Sequence, residues 1–299
     1  MGKIAVTLKQ ALAQREQEGV PGGTSARPLA SGAGWDVADV LCTFGPRDRP
    51  FEERHDGVRI AMVVAGSFGY RAAPGRELLT PGTLLLGNNG DCFECGHRHG
   101  AGDRCVAFRY APAYFEKLAV DAGLASGSFD FKRTRVPSLR AFSPLIAPAC
   151  AGASGSDSTV WDELAVELAA ATLRAAGAPL RAEAPASAAA WSRVAQTVGL
   201  IDDTPGAPHT LASLAAAAGL SEFYFLRTFQ RVTGVTPHQY LLRSRLRAAA
   251  QRLQDGGAKV VDIALDCGFN DLSNFNHAFR AEFAASPRAW RAWGRARRA

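Results

Sequence analysis

The sequence has no run of about 18 or more apolar residues, so no segment is long enough to cross a bilayer as a helix. Its first stretch, MGKIAVTLKQALAQREQEGV, lacks a continuous apolar core followed by a small-residue cleavage site, the pattern of an export signal. Charged residues make up only 21% and hydrophobic residues 47% of the 299, a balance that excludes a disordered chain and suffices for two cores of ordinary size. Cysteine is scarce, with six residues. Without an export signal these thiols point to a reducing compartment, the cytoplasm, where clustered cysteines are more often metal ligands or redox groups than disulfides.

An overall acidic balance is also absent. The formal net charge is +6, and its placement is uneven. Residues 1–190 carry 20 Lys+Arg against 20 Asp+Glu, whereas residues 191–299 carry 14 against 8. The whole positive excess therefore lies in the last third, which ends in RAWRAWGRARRA, and localised basicity of this kind suits a polyanion. A solvated basic surface is the other reading of the same numbers.

Along the chain, residues 35–110 read as β-structure. VRIAMVVAGSFGYR, LLTPGTLLL and CVAFRY are short runs rich in Val, Phe and Leu, separated by Gly- and Pro-containing turns, as in an antiparallel sandwich or barrel. The chain before them reads as a helix followed by a loop, PGGTSARPLASGAG. From Pro112 onward the spacing becomes helical, in APAYFEKLAVDAGL and STVWDELAVELAAATLRAAG. AGAPLRAEAPASAAA has little periodicity and reads as a linker. The expected organisation is an extension over 1–34, a β-rich domain over 35–175, a linker over 176–190 and an all-helical domain over 191–299.

Within the last domain, LASLAAAAGLSEFYFLRTFQRVTG places Leu211, Leu214 and Ala218 on one face of a short helix. Gly219 allows a tight turn, Ser221 is suited to an N-cap, and Phe225, Phe229 and Val232 form the inward stripe of a second helix. This is a helix-turn-helix pattern. It recurs in VVDIALDCGFNDLSNFNHAFRAEF, with Gly268 at the turn, Asn270 or Asp271 as cap, and Phe275 and Phe279 buried. The basic stretch HQYLLRSRLRAAAQRLQ lies between them as one long helix. One such pattern is a weak signal, but two joined by a spacer helix can address successive major-groove segments of one duplex.

These two segments resemble the AraC/XylS family of transcriptional regulators. One departure is visible: the second repeat ends FAASP, where the family pattern has Phe-Gly-x-Ser-Pro, so Ala284 occupies a turn better suited to glycine. The resemblance implies an α+β protein, with an N-terminal cupin-like antiparallel β-barrel and flanking helices ahead of a C-terminal all-α domain with two helix-turn-helix motifs. It implies a regulator, an activator more than a repressor, that binds double-stranded operator DNA, engages RNA polymerase and responds to a small-molecule effector. It also implies a homodimer formed through the N-terminal domain, with the helices around 113–125 and 158–175 as its surface unless they simply cover the barrel. Carried onto this sequence, the base-facing residues are Phe223, Leu226 and Arg227 in the first reading helix and Leu272, Ser273, Asn276 and His277 in the second. Arg227 suits guanine and Asn276 adenine, while Phe223 and Leu226 offer only apolar contact. Arg231, Arg280 and the group Arg243, Arg245 and Arg247 are expected to touch phosphate or to remain surface charges. Cys267 reads as a small core residue.

DCFECGHRHGAGDRC is the remaining unusual stretch. In FECGHRHG, Cys95, His97 and His99 are spaced by two and share one face of a strand. After the turn GAGD, Cys105 returns opposite them, which gathers two sulfurs and two imidazoles into a ligand set suited to one tetrahedral Zn²⁺ per chain. Cys92 joins only if the NNGD turn bends the strand. Three readings stay open: a zinc site, structural or sensing; a redox or electrophile switch; or a pocket lined by histidines with cysteines packed as small hydrophobes. Cys42 and Cys150 stand apart and read as core.

An alternative function is a metal-dependent cupin enzyme built on His97, His99 and Cys105. Such enzymes add a Glu and a further His downstream, and after Cys105 this half has no histidine. A repair methyltransferase needs a reactive Pro-Cys-His motif, which is missing. Neither alternative uses the basic tandem repeat, so the reading is a non-enzymatic regulator.

Overall fold

The computed structural model describes residues 3–98, 100–123, 129–153, 161–176, 186–255 and 257–296. Among these, the N-terminal half begins with helix α1 (Lys3–Glu18) and contributes ten strands. They are β1 (Thr24–Gly32), β2 (Trp35–Cys42), β3 (Phe51–Arg54), β4 (Val58–Gly66), β5 (Phe68–Ala72), β6 (Gly75–Leu79), β7 (Leu84–Gly87), β8 (Cys92–Gly96), β9 (Asp103–Tyr110) and β10 (Arg135–Val136). A six-stranded sheet runs β1-β2-β9-β4-β7-β10 and a four-stranded sheet β3-β8-β5-β6, with every strand pair antiparallel.

The side-chain alternation along β4 shows why these strands are so apolar. Ala61 and Val63, with their neighbour Cys105 of β9, face the four-stranded sheet, where they meet Phe68, Tyr70, Leu79 and Cys95. Ile60, Met62 and Val64 point the other way, into the core under α1 and under helices α2 (Pro112–Asp121), α3 (Ser143–Ala153) and α4 (Trp161–Ala176). A strand buried on both faces cannot show a clean polar alternation. The stripes of α2 and α4, Phe115 and Ala119 with Leu164, Leu168 and Leu173, cover this sheet.

One expectation is corrected. The segment before Trp35 is part of the domain, because TSARPLASG forms β1, paired along its length with β2. An edge strand needs ladder bonds on one side only, and Pro28 sits beside an irregularity in the register, where a missing N–H costs little. The polar composition that looked like a loop is that of an exposed edge. Of the expected linker, residues 177–185 lie outside the described residues, and the next helix, α5 (Ala188–Asp203), begins before residue 191.

The remainder is helical: α6 (Leu211–Ala217), α7 (Glu222–Thr233), α8 (Pro237–Asp255), α9 (Val260–Asp266), α10 (Leu272–Phe283) and α11 (Pro287–Ala296). Two cores form along α8, which serves both. Tyr240 and Leu241 pack with α5, α6 and α7, whereas Leu246, Ala249, Ala250 and Leu253 pack with α9, α10 and α11. Each core also takes one residue from the N-terminal half, Leu78 of β6 in the first and Ala147 of α3 in the second. The two halves are further tied by Arg135, which donates to the carbonyls of Leu78 at 3.2 Å and Val232 at 2.7 Å and pairs with Glu77 at 2.9 Å.

Candidate nucleic-acid interface

The two repeats are built alike from their caps inward. Ser221 opens α7 by accepting from the Tyr224 N–H, and Asp271 opens α10 by accepting from the Ser273 and Asn274 N–H groups at 3.0 and 2.8 Å. Those two N–H groups hold the Asp271 carboxyl below the usual carboxylate range. The turns use Gly219 at φ +62 and Gly268 at φ +85, conformations that favour glycine. The second turn is one residue longer, since Gly219 is two positions before its cap and Gly268 three before Asp271. Behind the turns, the rings Phe225–Phe229 and Phe275–Phe279 both lie 5.5 Å apart, at 57° and 56°. At 1.5 Å per residue α8 is about 28 Å long, comparable with the roughly 34 Å between successive major-groove segments on one face of a duplex.

With those phenylalanines buried, the opposite faces of α7 and α10 are exposed to solvent. Phe223 is 71% exposed, Arg227 and Arg231 are exposed and Leu226 is half-buried. On α10, Leu272, Ser273, Asn276, His277 and Arg280 are all exposed. The Arg227 guanidinium lies 5.8 Å from the centre of the Phe223 ring, which limits where that arginine can point. Tyr224, 55% exposed beside them, was missed by the sequence reading, although it occupies the position of Asn274 in the other repeat. A large aromatic exposed to this extent next to an N-cap was the available signal.

The arginines of α8 depart from expectation. Arg245 donates to the carbonyls of Pro205 and Ala207, both at 2.9 Å, and shields Gly268. Arg243 donates to the Ser138 carbonyl and lies 3.7 Å from Glu282. Arg247 stacks over Tyr240 and stands 3.7 Å from Asp202, whose carboxylate also accepts from Tyr240 and Ser244. These groups are braces, part-buried among the loops and helices they tie together. Their sequence spacing resembles a basic stripe because a spacer helix touching elements on every side needs long polar arms. Cys267 is buried in the second core, as expected.

The other predicted cluster divides. Cys95, His97 and Cys105 are buried and Cys92 is exposed, on β8 opposite Arg54 of β3. His99 lies outside the described residues. Around His97 the structure gathers two residues that the sequence reading left out. Its Nε2 stands 2.7 Å from Asp103 Oδ2 and 3.7 Å from Cys42 Sγ, and Cys105 donates its S–H to Asp103 Oδ1 at 3.4 Å. Burial, with Asp103 nearby, pushes the Cys42 thiol up to about 12 and raises Cys95 and Cys105 as well. As free thiols these three are weak nucleophiles, unlike the thiolates of redox sensors.

A tandem of two helix-turn-helix units, each with a capped second helix that leaves one face uncovered, defines a DNA-binding domain of the double helix-turn-helix class. Residues 214–292 match the family model described as "Helix-turn-helix domain". The chain is 37% identical over 78 residues to the probable transcriptional regulator LumQ of Photobacterium leiognathi, covering 26% of this chain and 32% of that protein. It is 48% identical over 62 residues to the HTH-type transcriptional activator RhaS of Escherichia coli O139:H28 (strain E24377A / ETEC), covering 21% and 22%. The chain thus spans a third or less of the length of these relatives. A solved transcriptional regulator from Chromobacterium violaceum, titled as having an AraC-type DNA-binding domain, shares 30% identity, covers 36% of this chain and 96% of that one, and overlays with a TM-score of 0.34. The C-terminal region is an AraC-type DNA-binding domain.

Proposed function

We propose that the whole chain is a sequence-specific transcription regulator, an activator acting with RNA polymerase, whose N-terminal half receives a metal or small-molecule signal. It acts in the cytoplasm as a homodimer joined through that half. The observation that carries the reading is the pair of uncovered helix faces, on α7 and α10, displayed by two repeats of the same construction. Phosphate contact from Arg231 and Arg280 supplies affinity that falls with salt, and Arg227 and Asn276 read bases. An effector has room in a cleft of about 480 Å³ between the halves, bounded by Leu12, Gly66 and Ala101 on one side and Asp202, Asp203 and Arg247 on the other. A metal-cupin enzyme is disfavoured because the His97 side chain is 1% exposed, so a metal there could not meet a substrate.

The test uses duplexes selected by the full-length protein from a random pool. Arg227→Ala is expected to weaken binding to the selected duplex by about 1–3 kcal/mol, tenfold or more, and to change binding to unrelated DNA far less. Equal loss on both kinds of duplex would refute base reading by Arg227.

A further inference from the structure

We propose that Cys42, His97 and Asp103 form a zinc site that pins the two sheets of the N-terminal half together. The donor atoms of Cys42, His97 and Asp103 all lie within 4.8 Å of one another, and all three residues are buried. They come from distant parts of the chain. Cys42 ends β2 and stands directly across from Asp103 at the start of β9, both in the six-stranded sheet, while His97 follows β8 of the other sheet. A metal here would bridge the sheets where their hydrogen-bonded ladders have ended.

The donor set suits a cation. His97 Nε2 faces both the Asp103 carboxylate and the Cys42 sulfur. The imidazole Nδ1 is buried with no hydrogen-bond partner among the described residues. Asp103 gains no arginine or lysine partner among the described residues; its partners are His97 and the Cys42 and Cys105 thiols. A divalent cation at this point accepts the Nε2 lone pair, and the Cys42 thiolate and the Asp103 carboxylate together neutralise its charge. The Cys42 thiol releases its proton to solvent as the sulfur–metal bond forms.

The geometry favours a small tetrahedral ion. Zinc bonds of about 2.3 Å to sulfur and about 2.0–2.2 Å to nitrogen and oxygen give tetrahedral edges of roughly 3.3–3.8 Å. The Cys42–His97 distance of 3.7 Å already matches such an edge. The 2.7 Å His97–Asp103 edge must open, by about 0.6 Å. Mixed thiolate and imidazole donors select zinc over calcium or magnesium. Phe44 and Phe68 both stack near the His97 ring, 6.4 and 5.8 Å between centres, and limit its rotation.

The site lies directly beneath the interdomain cleft. Gly102 adjoins Asp103, bonds the Phe44 carbonyl at 2.7 Å, and is so close to α1 that an added Cβ would meet Leu8 at 2.9 Å. Gly100 and Ala101 line the cleft, and Lys9 of α1 reaches Asp203 of α5 at 3.5 Å. Occupancy of the site therefore sets the position of a segment in contact with the DNA-binding half.

The test is metal analysis of the full-length protein, purified without a polyhistidine tag, alongside cobalt substitution. Wild type is expected to hold about one zinc per chain, and Cys92→Ser the same amount, because Cys92 is about 16 Å farther along an extended strand from His97. Cys42→Ser and His97→Gln are expected to lose at least nine-tenths of the metal. Chelator-stripped wild type given Co²⁺ is expected to show tetrahedral d–d bands with thiolate charge transfer, a readout that does not depend on any variant folding. Metal-free wild type with no cobalt spectrum would overturn the proposal, as would full zinc in Cys42→Ser with loss in Cys95→Ser. Neither outcome bears on DNA reading by α7 and α10, which is measured separately.

Discussion

The two repeats differ at one backbone position in a way that stability measurements resolve. Gly234 ends α7 at φ +80 and Ala284 ends α10 at φ +55; Ala284 is the one non-glycine with positive φ among the described residues. An L-residue in the left-handed region costs about 1–2 kcal/mol relative to glycine, and the greater freedom of glycine in the unfolded chain offsets about 0.5–1 kcal/mol of that. Ala284→Gly is therefore expected to stabilise the protein by about 0.5–1 kcal/mol, a rise in Tm of roughly 1–3 °C for a chain of this size. The mirror change, Gly234→Ala, carries a second cost, because the new Cβ would lie 2.6 Å from Pro137 Cγ and 2.7 Å from its Cβ. It should destabilise by about 2 kcal/mol or more and loosen the contact between the halves. Urea unfolding followed by circular dichroism, with the slope unchanged in Ala284→Gly, gives both numbers. If Ala284→Gly is destabilising, the left-handed turn at the end of α10, and the equivalence of the two repeats there, is wrong.

Two further substitutions probe the N-terminal half and its docking. Burial, reinforced by Arg59, lowers the His55 imidazole to about 4, and its Nε2 lies 2.7 Å from the Tyr70 hydroxyl. Between about pH 6.5 and pH 4 the unfolded chain takes up a proton at this residue that the folded chain does not, so stability falls as the pH falls, by up to about 3 kcal/mol. His55→Gln should flatten that part of the pH–stability curve relative to wild type; parallel curves would exclude His55 as a source of the acid sensitivity. Arg135→Met keeps most of the side-chain volume but removes the donors to Leu78 and Val232 and the partner of Glu77. Because Glu77 keeps 36% of its side-chain exposure, the stranded charge is partly solvated, and a loss of about 2–3 kcal/mol is expected, mostly from the two carbonyls. Unchanged stability and unchanged protease resistance between the halves would show that Arg135 does not tie them.

Sequence by itself determined what is local and periodic. Helical spacing, Ser221 and Asp271 as caps, Gly219 and Gly268 as turns and the paired phenylalanines specify both helix-turn-helix units, because each signal acts within a few residues of the structure it produces. The exposed faces of α7 and α10 follow from the same periodicity. Even the misfit at Ala284 was readable, since a positive φ is a property of one residue.

Tertiary structure decided what depends on register and on neighbours. Polar TSARPLASG became an edge strand because β2 was present to pair with it. The basic stripe of Arg243, Arg245 and Arg247 became a set of braces because carbonyls and carboxylates from other elements surround α8. Cys42, which reads as an isolated core residue 53 positions before Cys95, stands beside His97 only because the β2–β9 register sets it across from Asp103. A spacing pattern records which residues share one strand face. Which strands then face each other is settled by the burial of both sheets, and that arrangement brings sulfur, imidazole and carboxylate to one point.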